Sequence, residues 1–165
     1  MNNQSLAEIL PHMANNIEGL SGFKQVLPAG PKPSQGGIFS VRSDDIPVVL
    51  AIRTPAQLMI TAALAMGVPF TSTVWEHVNQ LNAKTLRVGR VFVIEYEGDG
   101  AGFGAILLQE IVECEDLDSG PSINMLLRIL ASVTGMGARL SPELCRAHGG
   151  QAPHPDNWLQ IMNLA

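Results

Sequence analysis

Residues 57–65 read Gln-Leu-Met-Ile-Thr-Ala-Ala-Leu-Ala, and the secondary structure of this stretch decides which fold the chain can adopt. Leu, Met and Ala are good helix formers, so composition alone permits a helix. The stretch is short, however, and it follows two strand-like runs that are separated by short turns. We therefore predict a strand, which would be the third consecutive strand in this part of the chain.

The two preceding runs cover residues 38–41 and 47–52, and the second is rich in β-branched side chains. Turn residues separate the three runs, at Asp44-Asp45 and at Thr54-Pro55. Upstream, residues 28–37 are dominated by Pro and Gly, which predicts a loop. The first of the three strands would therefore lie next to a loop, and we predict that it forms an edge of the sheet.

The N-terminal segment has the pattern of an amphipathic helix. Ser5 and Glu8 have the spacing of a capping box. Apolar residues recur on one helical face, at Leu6, Ile9, Leu10, Met13, Ile17 and Leu20. We predict a helix that starts or bends at Pro11 and that ends at Gly19 or Gly22.

A second amphipathic helix is predicted over about residues 72–84. Thr73 and Glu76 have capping-box spacing. The apolar side chains that follow at helical spacing are Val74, Trp75, Val78 and Leu81. Trp75 has two interpretations, as a core residue or as an anchor in a protein–protein contact, where Trp is enriched.

The clearest local pattern comes next. Residues 86–97 and 103–113 predict two strands, and Gly98-Asp99-Gly100 between them predicts a hairpin turn. A third helix follows from Ser119, with a wide apolar arc that predicts deep burial, and we expect it to end at Gly135 or Gly137. From Ser141 the sequence is rich in Pro, Gly and His, which predicts a loose tail.

The predicted order is α-β-β-β-α-β-β-α, an α+β fold with a mainly antiparallel sheet flanked by helices. A chain of 165 residues has the length of about one domain. We divide it into a domain at residues 1–140 and a C-terminal tail at residues 141–165.

Composition narrows the class of partner. Only 15% of residues are charged, against roughly 25% in an average protein, so much of the surface must be neutral or apolar. Such a surface favours protein partners. The net charge of −5 argues against a nucleic-acid ligand, which would require basic residues. We also expect no membrane partner, because the apolar runs are only as long as strands.

The N-terminal sequence and the cysteines bear on the compartment. Residues 1–5 contain neither a basic nor an apolar run, so we expect no signal peptide. Cys114 and Cys145 are not part of a C-x-x-C pair, which favours reduced thiols. We therefore predict a cytoplasmic protein.

Candidate chemical groups are sparse. Cys145, His148 and His154 have the ligand types of a zinc site, but a structural site needs four ligands, so we predict no metal and no cofactor. His12 and His77 lie on predicted helices without a partner that the sequence reveals. No family signature surrounds either cysteine, and we predict no catalytic residues and no enzymatic activity.

Three stretches together resemble a known family. Ile46-Pro47-Val48-Val49-Leu50 and residues 57–69 resemble its paired strands, which end in a small-residue approach to the second helix. Val78-Asn79-Gln80-Leu81-Asn82 resembles its motif at the end of that helix. The third stretch is the predicted hairpin, which has Asp99-Gly100 at its turn and is followed by an apolar helix. The family is that of the type III secretion chaperones of the Tir-chaperone (CesT) type, with the related YbjN-like proteins, and the resemblance covers roughly residues 5–138.

This resemblance implies a non-enzymatic homodimer that holds a secreted effector or other client protein in the cytoplasm. The second helix and the strand after it form the dimer contact in that family, which here implies Trp75, Val78, Leu81, Val91 and Val93. We further expect the client to bind along the first helix and the predicted edge strand, because an unpaired edge can accept another chain. The predicted client-binding residues are Leu6, Ile9, Met13, Ile17, Ile38 and Phe39.

Three alternatives stay open from the sequence. One is a YbjN-like regulatory protein with the same fold and another partner. A second is a small enzyme that pairs Cys145 with His148 or His154. A third is a profilin-like roadblock module, which would place a helix after two strands and therefore depends on residues 57–65.

Overall fold

The computed structural model describes residues 6–27, 37–43, 46–86, 88–95, 102–114 and 120–154. These ranges contain three helices and six strands, in the order α-β-β-β-β-α-β-β-α. The helices are α1 (Leu6–Ala14), α2 (Ser72–Gln80) and α3 (Gly120–His148), and a π-helical turn (Leu81–Thr85) follows α2. The strands are β1 (Leu20–Leu27), β2 (Ile38–Ser43), β3 (Ile46–Thr54), β4 (Gln57–Pro69), β5 (Arg90–Glu95) and β6 (Phe103–Glu113).

All six strands form one antiparallel sheet in the order β1-β2-β3-β4-β6-β5. The predicted α+β class, with helices beside a mainly antiparallel sheet, is confirmed. Residues 57–65 belong to β4, a central strand that pairs with β3 on one side and with β6 on the other. The roadblock alternative required a helix at this point, so the structure argues against it.

β1 is an element that the sequence analysis missed, and the predicted first helix is too long. The helix ends at Ala14, and the Asn16 side chain donates a hydrogen bond to the His12 carbonyl at 2.7 Å just beyond its end. Gly19 has a φ of 86°, a left-handed conformation that glycine adopts without strain. The chain reverses there, and Leu20 starts a strand rather than another helical turn.

The main core lies between one face of the sheet and the helices. Ile60 and Leu64 of β4 and Ile106 and Leu108 of β6 are fully buried there. The helices contribute a second set of buried side chains, namely Leu6, Leu10, Val74, Val78, Leu126, Leu130, Val133, Leu140 and Leu144. A smaller apolar cluster on the other face contains Val49, Ala63, Ala105 and Leu107.

α3 is the longest helix and extends further than predicted. It passes through Gly135, Gly137 and Pro142 and reaches His148, after which Gly149 has a φ of 73°. The expected end at Gly135 or Gly137 is therefore wrong, because packing against β4 outweighs the low helix propensity of glycine. At Gly137, an added Cβ would lie 3.2 Å from the Ala62 Cβ, so the helix and the strand approach closely.

The predicted loose tail is also wrong where the structure describes it. Residues 141–148 form the last two turns of α3, and the backbone of Gln151 then pairs with that of Met66 through two 2.9 Å hydrogen bonds. Met66 lies where the pairing between β4 and β6 is interrupted, so the segment after α3 completes the hydrogen bonding of β4. Residues 155–165 of the predicted tail lie outside the described residues.

The predicted hairpin strands are present as β5 and β6. The predicted bounds of β6 are matched, whereas β5 begins at Arg90 rather than at residue 86, and residues 96 and 97 lie outside the described residues. The turn at 98–100 and residues 28–36 of the predicted loop lie outside the described residues, as does Ser5 of the first capping box. The second capping box is wrong, because the N-cap of α2 is Thr71, whose hydroxyl accepts the Val74 N–H at 3.4 Å.

Candidate protein-binding surfaces

α2 and β5 lie side by side at one end of the sheet, and this is where the predicted dimer residues converge. Val78, Leu81, Val91 and Val93 are buried in the core of their own chain. Trp75 differs from them, since 43% of its surface is exposed. The apolar face of α2 therefore packs on the sheet, and Trp75 is the member of the predicted set that another chain can contact.

The position of Trp75 is supported by a neighbouring aromatic ring. Phe70 lies between β4 and α2, and its ring centroid is 6.1 Å from that of Trp75 in a tilted arrangement. Such a separation is within the range of favourable aromatic pairs. Beneath Phe70 lies Gly104 of β6, where a side chain would overlap the Phe70 ring. The backbone at Gly104 thus makes room for Phe70, which in turn packs beside Trp75.

β5 is an edge strand, because in the described sheet it pairs with β6 alone. Its outer side is partly covered by Asn82, from the π-helical turn. The Asn82 amide donates to the Val91 carbonyl at 2.7 Å and accepts the Val91 N–H at 2.8 Å, as a paired strand would. Successive residues of an antiparallel strand direct their backbone groups to alternate sides, so Val93 and Glu95 also direct theirs away from β6.

The role of Asn82 was not recognised from the sequence, although the residue belongs to the motif that resembles the chaperone family. The π-helical turn closes with a 3.0 Å bond from the Leu86 N–H to the Leu81 carbonyl. π-helical turns are rare and occur frequently at functional sites. In the sequence, Asn82 is recognisable only as an Asn at the end of a predicted helix that precedes a strand. That position does not reveal its contact with Val91.

The predicted client-binding residues lie at the opposite end of the sheet. Leu6, Ile9, Met13 and Phe39 are buried, and Ile17 and Ile38 are half-buried. The premise that the strand beginning at Ile38 is an edge strand is wrong, because β2 lies between β1 and β3. β1 takes the edge position instead, and the Phe23 ring of β1 stacks on Phe39 with centroids 5.4 Å apart.

The β1 edge is irregular. Its pairing with β2 shifts register twice, between Ser21 and Lys24 and again between Gln25 and Leu27. Bulges and an exposed Lys are features by which natural edge strands avoid indiscriminate pairing. A client that pairs with β1 would therefore have to match this irregular edge. β5 is regular over its six paired residues.

Cys145 and His148, one of the predicted nucleophile pairs, contact other residues instead of each other. Burial raises the pKa of the Cys114 thiol and of the Cys145 thiol, which disfavours the nucleophilic thiolate. The Cys145 Sγ points to the Leu64 carbonyl at 3.7 Å, whereas the His148 ring contacts His77. A Cys145–His148 nucleophile pair is therefore not formed, and His77, which had no predicted partner, has one.

Within the described ranges, no group of three or more His, Cys, Asp or Glu residues is arranged to hold a metal ion. The absence of a metal and of a cofactor stays a prediction. In the same part of the chain, no helix combines the length and apolar character needed to cross a bilayer.

No family model matches this sequence, and no curated protein matches it. Among solved structures, it is similar to a chain in the heterodimeric complex ExoU–SpcU from the type III secretion system of Pseudomonas aeruginosa. The two chains are 15% identical, the likeness covers 74% of this chain and 82% of that chain, and the TM-score is 0.41. A likeness of this size does not assign the chain to a family.

Proposed function

We propose that this protein is a non-enzymatic, cytoplasmic protein-binding module that holds a client protein and acts as a homodimer, in the manner of a type III secretion chaperone. The observation that carries the proposal is the surface formed by α2 and β5. It combines a large exposed aromatic residue, Trp75, with β5, which in the described sheet pairs with β6 alone and is covered by Asn82 at Val91 on its outer side. Large aromatic anchors and open strand edges are both means by which proteins bind other polypeptides.

The two ends of the sheet suit different partners. The regular β5 edge and Trp75 suit a second copy of the chain, because a two-fold contact would bring the same strand and helix of both subunits together. The client is then expected to bind at the other end of the sheet, at α1 and β1. The expected client region therefore still includes the first helix, but the edge strand beside it is β1 instead of β2.

Replacing Trp75 with alanine is expected to weaken the homodimer by about 2 kcal/mol, roughly 30-fold in the dissociation constant, if the residue is a hot spot. Sedimentation equilibrium over a range of concentrations measures this change. Met125→Ala is the matched control, since Met125 is 47% exposed on α3, away from the proposed contact. A wild-type protein that is monomeric at micromolar concentration would count against the homodimer, and equal effects of the two variants would count against Trp75 as its anchor.

The client site is tested with a photo-crosslinking amino acid at an exposed position. Lys24 on β1 is exposed, and Arg128 on α3 is an exposed control position. We expect one native client to crosslink at position 24 and not at position 128, after expression in the native host. Aspartate at Ile9 or Phe39 is not a suitable test, because both residues are buried and a carboxylate there would perturb folding. A client that crosslinks equally at both positions would place its site elsewhere.

A further inference from the structure

Two histidines that are far apart in sequence join α2 to the end of α3. The Nδ1 atom of His77 lies 2.8 Å from the Nε2 atom of His148, and the ring centroids are 5.0 Å apart. His77 lies within α2, and His148 is the last residue of α3. Neither histidine belongs to the residues proposed above for the dimer contact or for the client site.

The protonation state of the two rings decides whether this contact can form. A neutral imidazole has one N–H donor and one acceptor nitrogen, whereas a protonated imidazole has two donors. At 2.8 Å, one ring must donate and the other must accept. When both rings are protonated, both facing nitrogens carry hydrogen and both rings carry positive charge, so the hydrogen bond is lost and the rings repel each other.

Glu143 indicates which ring accepts. Its Oε1 atom lies 3.8 Å from the Nε2 atom of His77, on the side of the ring away from His148. A carboxylate there favours the tautomer of His77 that carries hydrogen on Nε2. The Nδ1 atom of His77 is then the acceptor, and the Nε2–H group of His148 is the donor.

The other groups around the pair do not replace this contact. From α3, Arg146 and Glu143 are exposed, and from α2, Glu76 is exposed. From β4, the Leu64 carbonyl accepts from the Ser141 hydroxyl at 2.6 Å. Desolvation, and secondarily the proximity of His77, lower the pKa of His148 below its ordinary value of 6.5.

We propose that His77 and His148 form a pH-sensitive latch, in which the neutral pair holds the last turn of α3 against α2 and protonation of both rings releases it. The backbone immediately after the latch pairs with β4, through Gln151 and Met66. Release of His148 therefore loosens the segment that completes the hydrogen bonding of β4. The device would respond to mild acidification, the range in which histidine titrates.

The direction of the effect follows from proton linkage. Because the folded protein disfavours the protonated form of His148, the latch contributes its full stability above pH 6.5 and loses it as the pH falls below that value. If release takes up one proton, the equilibrium constant for opening rises by at most about tenfold for each unit that the pH falls.

The test is amide hydrogen exchange of the full chain by NMR, at pH 7.5 and at pH 5.5, corrected for intrinsic exchange. The probes are the amides of Gly149 and Gln151, which bond to the carbonyls of Cys145 and Met66. In the wild type we expect their protection to fall several-fold, by at most about tenfold, between the two pH values. In His148→Gln, where an amide N–H can still donate to His77 without a second titrating ring, we expect less than about a twofold change.

His12→Gln is the matched control, since His12 is an exposed histidine on α1 and its loss should leave the wild-type response intact. Equal pH responses of the wild type and His148→Gln would overturn the proposal, as would loss of the response in His12→Gln. Nitrogen-15 spectra of the wild-type histidines decide the question without any variant. A latch requires the rings of His77 and His148 to titrate in two coupled steps, and two independent titrations would overturn it.

Discussion

The Gly104→Ala variant is expected to lose about 3 kcal/mol of unfolding free energy, at the upper end of what overpacking costs. A Cβ at this position would overlap the Ile94 carbonyl oxygen of β5 and would lie 2.6 Å from the Phe70 ring. The first neighbour is backbone, so relief requires β5 to move away from β6. The Phe70 ring packs beside Trp75, so the loss of stability should be accompanied by displacement of the proposed dimer surface.

Urea denaturation followed by circular dichroism measures this loss. Gly135→Ala is the matched control, because Gly135 is an exposed residue of α3 with nothing within 4 Å of an added Cβ. That substitution should raise stability by about 0.5–1 kcal/mol, since alanine is the better helix former. If Gly104→Ala were as stable as the wild type, the close packing of β5, β6 and Phe70 described above would be incorrect.

The elements that were predicted correctly are those whose local pattern and tertiary role agree. β6 combines a continuous apolar run with a neighbouring glycine-rich turn, and both its length and its antiparallel pairing with β5 were predicted. β4 is richer in helix-forming residues, yet its place after two short turns leaves no room for a helix. In both strands, side chains are buried on both faces of the sheet, which explains apolar runs without alternation.

The elements that were missed depend on long-range packing. β1 contains Gly22 and Lys24 and has two register shifts, so it lacks the regular alternation of a strand. It forms because β2 offers it an edge. α3 passes through two glycines because Gly137 allows the helix to approach Ala62 closely, at a cost in helix propensity of about 1 kcal/mol for each glycine.

The candidate site was predicted only in part. The sequence indicated Trp75 and the strand that contains Val91, but an apolar helical face has the same pattern whether it packs on its own sheet or on a partner. The contacts of Asn82 with Val91 and of His77 with His148 join residues that are 9 and 71 positions apart. Neither spacing corresponds to a known motif, so only the folded chain reveals these pairs.

Leu144→Ala is expected to destabilise the protein by about 2–5 kcal/mol, the cost of removing a buried leucine side chain and leaving a cavity. Leu144 is fully buried, in the part of α3 that the sequence predicted to be a loose tail. Ser141, one turn earlier, donates a 2.6 Å hydrogen bond to the Leu64 carbonyl, which fixes this turn against β4. The turn of α3 that contains Ser141 and Leu144 should therefore unfold together with the sheet.

Arg146→Ala is the matched control for this prediction. Arg146 belongs to the same turn but is exposed, and removing an exposed side chain usually changes stability by no more than about 0.5 kcal/mol. Thermal and urea unfolding of the two variants, each followed by circular dichroism, give the comparison directly. A loose tail predicts that both variants behave like the wild type, whereas a docked helix predicts a large loss for Leu144→Ala alone. Equal, small effects of the two variants would mean that residues 141–148 are not docked on the sheet. The contact between His77 and His148 would then lose its structural basis.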